Sequence, residues 1–92
     1  MDNELNLDNE LRIGDIVGDT NRIVVACTKT AERIPGDSYA TWVAICHKDG
    51  VHHPYVVWQV IARPQGFYAG AGEYCFTLEE AITIFKNRGG KQ

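Results

Sequence analysis

One stretch of sequence decides the fold of this chain: YATWVAICHKDGVHHPYVVWQVIA, residues 39–62. Its two ends, residues 39–47 and 55–62, are rich in β-branched and aromatic side chains, which favour strands. Between them, Asp49 and Gly50 form the Asp-Gly pair that is typical of a turn between antiparallel strands. This stretch therefore predicts a β-hairpin at the centre of the chain.

Further strands are predicted on both sides of this hairpin. Before it, residues 22–30 (RIVVACTKT) form a β-branched run, and residues 12–20 contain two Gly-Asp pairs that indicate a short strand or bend leading into the sheet. After it, residues 67–76 (FYAGAGEYCF) predict a short strand or hairpin, in which Gly70 and Gly72 favour a bulge or a close backbone approach. The sheet should therefore contain about four strands.

A helix is predicted after the last strand. Thr77 and Glu80 have the spacing of a capping box, in which each side chain accepts a hydrogen bond from the backbone of the other residue. One apolar stripe follows at helical spacing, formed by Leu78, Ala81, Ile82 and Phe85. Gly89 is placed to end the helix in the left-handed conformation, so the helix should cover residues 78–88. The predicted fold class is α+β, a small antiparallel sheet with one C-terminal helix packed on one face.

Charge divides the chain into an N-terminal arm and a domain. The net charge of the 92 residues is −3, but the first 20 residues hold Arg12 as their one base against six acids: Asp2, Glu4, Asp8, Glu10, Asp15 and Asp19. We predict an acidic arm over residues 1–11 and a single α+β domain over residues 12–92. The arm is either a frayed, solvated terminus or a segment that docks on a basic surface. This overall charge disfavours nucleic acid as the partner.

Composition and cysteine content exclude several classes of protein. With 45% hydrophobic and 23% charged residues, the chain has the composition of a globular domain and not of a disordered one. No apolar run approaches the roughly 20 residues of a membrane-spanning helix, and the acidic N-terminus does not resemble a signal peptide, so we expect no membrane partner. Three cysteines, Cys27, Cys46 and Cys75, indicate free thiols and a cytoplasmic protein.

Both faces of the predicted sheet are apolar, and the functional hypothesis depends on this observation. In residues 55–62 the two alternating sets are Val56, Trp58, Val60 and Ala62 on one face, and Tyr55, Val57, Gln59 and Ile61 on the other. One short helix covers only one face of such a sheet. The other face is then closed in one of three ways: the strands curl into a small barrel, a second copy docks to form a homodimer, or another protein binds there.

Side chains suited to catalysis or metal binding form no familiar motif. A zinc site near the central turn would draw on His47, His52, His53, Cys46 and Cys75. The spacing of these residues matches no common zinc pattern, and cysteines in apolar strands are poorly reactive. The sequence contains no nucleophile elbow, metalloprotease motif or complete dinucleotide loop. We therefore expect no enzymatic activity, no cofactor and no metal site.

The C-terminal half carries a pattern that resembles a known group of proteins. Residues 54–58 read PYVVW, residues 72–76 read GEYCF, and residues 77–88 read TLEEAITIFKNR. The pattern resembles small proteins of phages and mobile elements, in which a P-Y-V-x-W strand precedes a G-x-Y-F-T-L-E-E-A-x-x-x-F-x-x-R segment. It covers residues 54–88, and Cys75 stands between the tyrosine and the phenylalanine of the pattern.

The resemblance implies a phage or mobile-element setting and no catalytic residues. Compact proteins of this kind are often stoichiometric inhibitors of host machinery, including anti-CRISPR and other counter-defence proteins. The hypothesis is a non-enzymatic protein that binds and inhibits a host protein in the host cytoplasm, for example a CRISPR-Cas or other defence complex. The expected contacts lie on the second sheet face and the acidic arm: Tyr39, Tyr55, Val57, Tyr68, Asp2, Glu4, Asp8 and Glu10.

A small-ligand function is the alternative. In this hypothesis the chain is a homo-oligomer that holds a nucleotide between subunits and acts as a binding protein or sponge. Tyrosine and tryptophan rings would stack on the base, and Arg63 would pair with a phosphate.

Overall fold

The computed structural model describes residues 10–18, 20–30, 41–63 and 65–90, which form one antiparallel sheet and one C-terminal helix. The four strands lie in the sheet in their order along the chain, so each strand pairs with its sequence neighbours. This arrangement confirms the predicted α+β class. In the described part of the chain, no helix is long and apolar enough to cross a membrane.

The strands are β1 (Ile23–Thr30), β2 (Thr41–His47), β3 (Tyr55–Arg63) and β4 (Gly66–Cys75). They coincide with the predicted β-branched and aromatic runs, and β4 is one continuous strand of 10 residues. The connection between β2 and β3 is wider than a tight Asp-Gly turn. It closes where the Lys48 N–H donates to the Pro54 carbonyl at 3.0 Å, and Gly50 adopts a left-handed φ of 79° within it.

Helix α1 (Leu78–Phe85) begins at the predicted capping box. The Glu80 N–H donates to Thr77 Oγ1 at 3.1 Å. In return, Glu80 Oε1 accepts from the Thr77 N–H at 3.4 Å and from the Phe76 N–H at 2.8 Å. These bonds satisfy backbone donors that the first turn of a helix leaves without partners, and they fix the angle at which β4 enters α1.

The helix ends differently from the prediction. It widens into one π turn, Lys86–Gly90, in which Gly89 has an extended φ of 175°, so the predicted left-handed stop is wrong. The end is tied to the sheet by Arg88, whose Nη1 donates to the Val57 carbonyl at 3.1 Å and to the Ala71 carbonyl at 2.6 Å. This side chain therefore clamps the helix to β3 and β4.

An irregularity in β4 lies opposite Trp58. The pairing of β3 with β4 passes from Val57–Glu73 to Gln59–Gly70, which leaves additional residues on β4, and Ala71 there has a φ of 51°. The Trp58 indole occupies the place where a Cβ of Gly72 would lie. The predicted close approach is thus confirmed at Gly72, whereas Gly70 has nothing within 4 Å of its Cβ position.

The helix covers one face of the sheet, which we call the helix face. Ala81 is fully buried there with sheet residues Val43, Ile45, Val57 and Cys75. Partly buried Ile84 and Phe85 complete the contact from the helix side. The odd-numbered residues of β3 therefore lie beneath α1, and the even-numbered residues form the opposite face.

The opposite face, which we call the N-terminal face, is closed by the chain itself. Its buried strand residues are Val24, Trp42, Ala44, Cys46, Val56, Trp58, Val60 and Ala62. Leu11 and Val17, from the segment before β1, pack in the same cluster and are 3% and 0% exposed. Residues of the same chain, Leu11 and Val17, therefore contribute to the cover of this face.

Several contacts hold this N-terminal segment across the sheet. The Gly14 N–H donates to the Val24 carbonyl at 2.8 Å, and the Val24 N–H donates to the Asp15 carbonyl at 2.9 Å. Further along, Gly18 lies so close to β4 that a Cβ would be 3.3 Å from the Phe67 carbonyl oxygen. The segment folds back because Gly14 and Gly18 adopt φ values of 101° and 52°, which side chains disfavour.

Leu11 packs with the predicted domain, although the prediction placed the domain boundary after it. Leu11 was assigned to the acidic arm, yet its side chain is buried and its carbonyl accepts from Cys27 Sγ at 3.5 Å. The packed part of the chain therefore includes Leu11.

Candidate interaction surface at the junction of β4 and α1

Among the described residues, the partner contacts predicted from sequence do not form one surface. Val57 is 0% exposed beneath α1, so its assignment as a partner contact is wrong. Tyr55 lies on the same face, half-buried, with its ring centre 4.7 Å from that of His47. The physical reason is the direction of the β3 side chains, because the set that contains Tyr55 and Val57 faces the helix.

The remaining predicted contacts are divided between the surface and the undescribed residues. Tyr68 is 44% exposed, and the Arg63 guanidinium lies 5.4 Å from its ring centre. Glu10 is exposed at the start of the described chain. Four predicted contacts lie outside the described residues: Tyr39, Asp2, Glu4 and Asp8.

One group of exposed apolar side chains lies where β4 passes into α1. Tyr74, Phe76, Leu78 and Ile82 are 57%, 55%, 42% and 36% exposed, and we call these four residues the junction surface. Apolar surface in water costs roughly 25 cal/mol per Å² relative to its burial. A concentration of such side chains in one short stretch of chain therefore marks a surface that gains stability when it is covered.

Two members of the junction surface come from the predicted helix stripe. Sequence periodicity placed Leu78 and Ile82 with Ala81 on the buried side of the helix. In the structure the buried side is centred on Ala81 and includes Ile84 and Phe85. In this orientation of the helix, Leu78 and Ile82 face solvent.

Two histidines extend the junction surface from the loop between β2 and β3. The His53 ring centre is 4.6 Å from that of Phe76 and 5.9 Å from that of Tyr74. The His52 ring meets Phe76 edge-on at 5.4 Å. On the other side, the Arg22 guanidinium lies 5.7 Å from the Tyr74 ring centre. These ring contacts hold the exposed aromatics in place before any partner binds.

A groove of about 420 Å³ opens beside the junction surface. The end of β4 and the turn after it line one side with Tyr74, Cys75 and Phe76, and α1 lines the other with Glu80, Thr83 and Ile84. Strand and helix meet here without a linker, so the capping box that begins the helix also shapes the groove.

The groove carries negative charge. Burial raises the pKa of the Cys75 thiol, and the carboxylates of Glu80 and Glu73 raise it further. Glu73, Glu79 and Glu80 are all exposed at the surface. Neither Glu73 nor Glu79 forms an ion pair within the part of the chain that the structure describes. A cation that enters the groove meets Glu80, one carboxylate oxygen of which also accepts from the Phe76 and Thr77 N–H groups. The Glu73 carboxylate lies near the same site, because it interacts electrostatically with Cys75.

The three cysteines are protonated at neutral pH. Burial raises the pKa of the Cys46 thiol to about 12, a shift that Arg22 partly opposes. Burial, together with the charge of Asp15, raises the pKa of the Cys27 thiol. Because the thiolate is the nucleophile, these environments disfavour cysteine chemistry.

The residues of the zinc arrangement considered from sequence are divided among different contacts. His47 Nε2 lies 3.3 Å from Asp49 Oδ1, whereas His52 and His53 pack on each other and on Phe76. Among the described residues, no group of three or more histidine, cysteine, aspartate or glutamate side chains is arranged to hold a metal ion.

Sequence reasoning did not identify the junction surface. One signal was available at the cap. A residue before the N-cap often packs on the fourth helical residue, and here that residue is Ala81, which is too small to cover Phe76. The exposure of Phe76 follows from this mismatch.

Comparisons with known proteins identify no family for this chain. No protein-family model, curated protein or solved structure matches this chain. The resemblance to phage and mobile-element proteins therefore stays a prediction.

Proposed function

We propose that this chain is a non-enzymatic binding protein that acts by docking its junction surface on another protein. The observation that carries the proposal is the exposure of Tyr74, Phe76, Leu78 and Ile82 in a molecule whose sheet faces are both covered by its own chain. Large aromatic side chains with fixed positions dominate the energetics of protein interfaces. Both the ring contacts and the exposure of this surface support that role.

The partner in this proposal is a host protein, which the chain inhibits by occupying its surface. The sequence resemblance supports this part, because compact phage and mobile-element proteins often block host machinery such as defence complexes. The raised pKa values of the three thiols support a role that does not depend on a cysteine nucleophile.

The groove volume of about 420 Å³ also fits a small ligand, which is the second candidate function. Its chemistry differs from the nucleotide site expected from sequence. Arg63 lies against Tyr68 and is not among the residues that line the groove. Glu73 and Glu80 would repel phosphate. A ligand of this groove should therefore be neutral or cationic, and native mass spectrometry of protein purified from its own cells would detect it.

The proposal is tested by photo-crosslinking in cells. A photoreactive phenylalanine analogue is placed at Phe76 in one variant and at Ile13, which is 71% exposed on the N-terminal segment, in a matched control. We expect the Phe76 variant to form one discrete adduct with another polypeptide after irradiation. The Ile13 variant should give no adduct or a different one, because its surface is not the proposed interface.

Two outcomes contradict the proposal. The first is the absence of any adduct from position 76 when the variant is folded and abundant. The second is the same set of adducts from positions 76 and 13, which would indicate non-specific contacts. Mass spectrometry of a discrete adduct identifies the partner, and a functional assay of that partner with and without the protein then tests inhibition.

A further inference from the structure

The walls of the groove suit a long aliphatic side chain that carries a charge at its end. Phe76 and Ile84 line the groove and contribute apolar surface from the β4 side and from the α1 side. Arginine and lysine side chains pack their methylene stems along apolar surface while their charged groups remain hydrated or paired. An arginine head group also stacks favourably on aromatic rings.

The charge of the groove has the sign that such a side chain requires. Glu80 lines the groove, and both Glu73 and Glu80 interact electrostatically with Cys75 in its lining. Arg88 is a nearby cation, but its guanidinium is engaged by the Val57 and Ala71 carbonyls at 3.1 Å and 2.6 Å. The Glu73 carboxylate and the Glu80 oxygen that the capping box does not use therefore remain available to a cation from outside.

A second copy of the chain fits this site less well than a partner with basic residues. A symmetric dimer would bring Glu73 and Glu79 of both copies into one interface, where like charges repel. Pairing along β4 is also obstructed, because the irregularity at Ala71 and Gly72 breaks the regular strand edge. Arg88 in addition occupies the Ala71 carbonyl.

The geometry points to a basic segment of a partner protein as the occupant of the groove, with one arginine or lysine stem between Phe76 and Ile84 and its head group beside Glu73 and Glu80. This inference rests on the proposed function and names the chemistry of the partner that the junction surface would contact. The exposed aromatic rings would then cover apolar residues that flank the basic side chain.

The inference is tested with defined peptides and the full chain. The probes are a short peptide of alternating valine and arginine, the same peptide with citrulline in place of arginine, and the same peptide with glutamate in its place. Citrulline keeps the shape of arginine and lacks the charge. Amide chemical shifts of ¹⁵N-labelled protein report binding. We expect the arginine peptide to shift residues of the groove and to bind about tenfold more tightly than the citrulline peptide, because hydrogen bonds to charged groups are stronger than neutral ones.

Matched variants separate the groove from general acidity. Glu73→Gln removes an exposed carboxylate beside the groove. We expect it to lower the affinity for the arginine peptide about threefold, which corresponds to the usual strength of a partly exposed ion pair. Glu10→Gln removes an exposed acid from the N-terminal segment and should leave affinity unchanged. Both substitutions are at the surface, so the fold is expected to persist, and the dispersion of the amide spectrum verifies it.

Several results would overturn the inference. Equal affinity for the arginine and citrulline peptides would show that the positive charge does not contribute to binding. Unchanged affinity of the Glu73→Gln variant would show that the peptide does not bind beside Glu73. Shifts outside the groove, or shifts that depend on protein concentration without peptide, would assign the surface elsewhere or to a second copy. A crosslinked partner at position 76 together with a failed peptide test would leave the proposed function standing and remove only its basic partner. Peptide binding without any adduct would contradict the proposed function alone.

Discussion

Gly72 is the residue on which the packing of β4 against Trp58 depends. A Cβ at this position would overlap the indole at Nε1 and Cδ1, and Trp58 is only 8% exposed, so the indole has little room to move aside. We expect Gly72→Ala to lower the free energy of unfolding by about 1–3 kcal/mol, the usual cost of overpacking. Urea unfolding followed by tryptophan fluorescence measures this loss.

Gly70 provides the matched control for that substitution. It lies in the same strand and has nothing within 4 Å of its Cβ position. Gly70→Ala should therefore change stability by no more than about 0.5 kcal/mol. Equal effects of the two substitutions would show that Trp58 does not rest on Gly72.

Because of the Cys46 thiol, we expect the stability of the fold to depend on pH in the alkaline range. Burial raises the pKa of its thiol from 9.0 to about 12. Between these values the unfolded chain releases a proton that the folded chain retains, so the free energy of unfolding falls as pH rises through this window. The slope from one thiol is at most about 1.4 kcal/mol per pH unit. Cys46→Ala should unfold with a shallower pH dependence between about pH 9 and 12.

The comparison of slopes makes this prediction independent of the cavity that Cys46→Ala creates. Loss of packing lowers stability at every pH, whereas loss of the thiol changes only the alkaline slope. Other groups that titrate in this range, such as lysines and tyrosines, are present in both proteins and cancel. Parallel pH profiles for the two proteins would exclude the buried thiol as a source of pH sensitivity.

At the scale of the element, the capping box is the feature that gives α1 a defined start. The α-helical part covers only Leu78–Phe85, which is shorter than the helices that persist alone in water. Thr77→Ala removes the acceptor of the Glu80 N–H bond and should cost about 1 kcal/mol of stability. Thr83→Ala is the control in the same helix, because its hydroxyl only donates to the Glu79 carbonyl one turn earlier.

The control is expected to be neutral within about 0.5 kcal/mol, since alanine is the better helix former and the lost bond competes with the backbone. Thermal unfolding by circular dichroism compares the two variants. A loss at Thr83 as large as that at Thr77 would mean that α1 is stabilised by its exposed side and not by its cap.

Elements could be predicted from the sequence where a local pattern determines them. The β-branched runs and the capping box each depend on neighbours in the chain, and each is present in the structure. The rotation of α1 could not be predicted, because Leu78 and Ile82 have the same periodicity whether they face the sheet or solvent. Their exposure depends on Arg88 and its carbonyl partners on β3 and β4, which are distant in sequence.

The cover of the N-terminal face was missed for a related reason. Residues 12–20 have too few apolar side chains to indicate a core segment, and Leu11 was grouped with the acidic arm. Two buried side chains, Leu11 and Val17, are nevertheless enough when Gly14 and Gly18 bend the segment across the sheet. Isolated apolar residues between glycines do not indicate from the local sequence that they will be buried. Their burial depends on tertiary contacts with the sheet.

At the scale of the whole molecule, covering both sheet faces changes where a partner can bind. An open sheet face would offer a broad apolar interface, as the sequence suggested. With that face closed, the exposed apolar area that remains includes the junction surface and a group on the N-terminal side, Ile13, Ile16, Ile23 and Val25. The junction surface differs by having aromatic rings, an adjacent groove and exposed acids nearby, and so it has the features of a specific site.

The last prediction concerns the segment that closes the molecule. Val17 is 0% exposed among the residues of the N-terminal face, so Val17→Ser both removes apolar packing and buries a hydroxyl. We expect a loss of about 2–4 kcal/mol in the free energy of unfolding. Ile13→Ser, in the same segment at 71% exposure, should change stability by no more than about 0.5 kcal/mol. Urea unfolding is again the measurement, because Trp42 and Trp58 lie on this face and their fluorescence reports its opening.

The dependence on protein concentration completes this test. If the chain closes its own N-terminal face, the unfolding midpoint is the same at low and high protein concentration. If a second copy supplies the cover instead, the midpoint rises with concentration by mass action, and Val17→Ser has little effect. The pair of measurements therefore separates a cover formed within one molecule from a cover formed between two, because only the first makes stability sensitive to Val17 and insensitive to dilution.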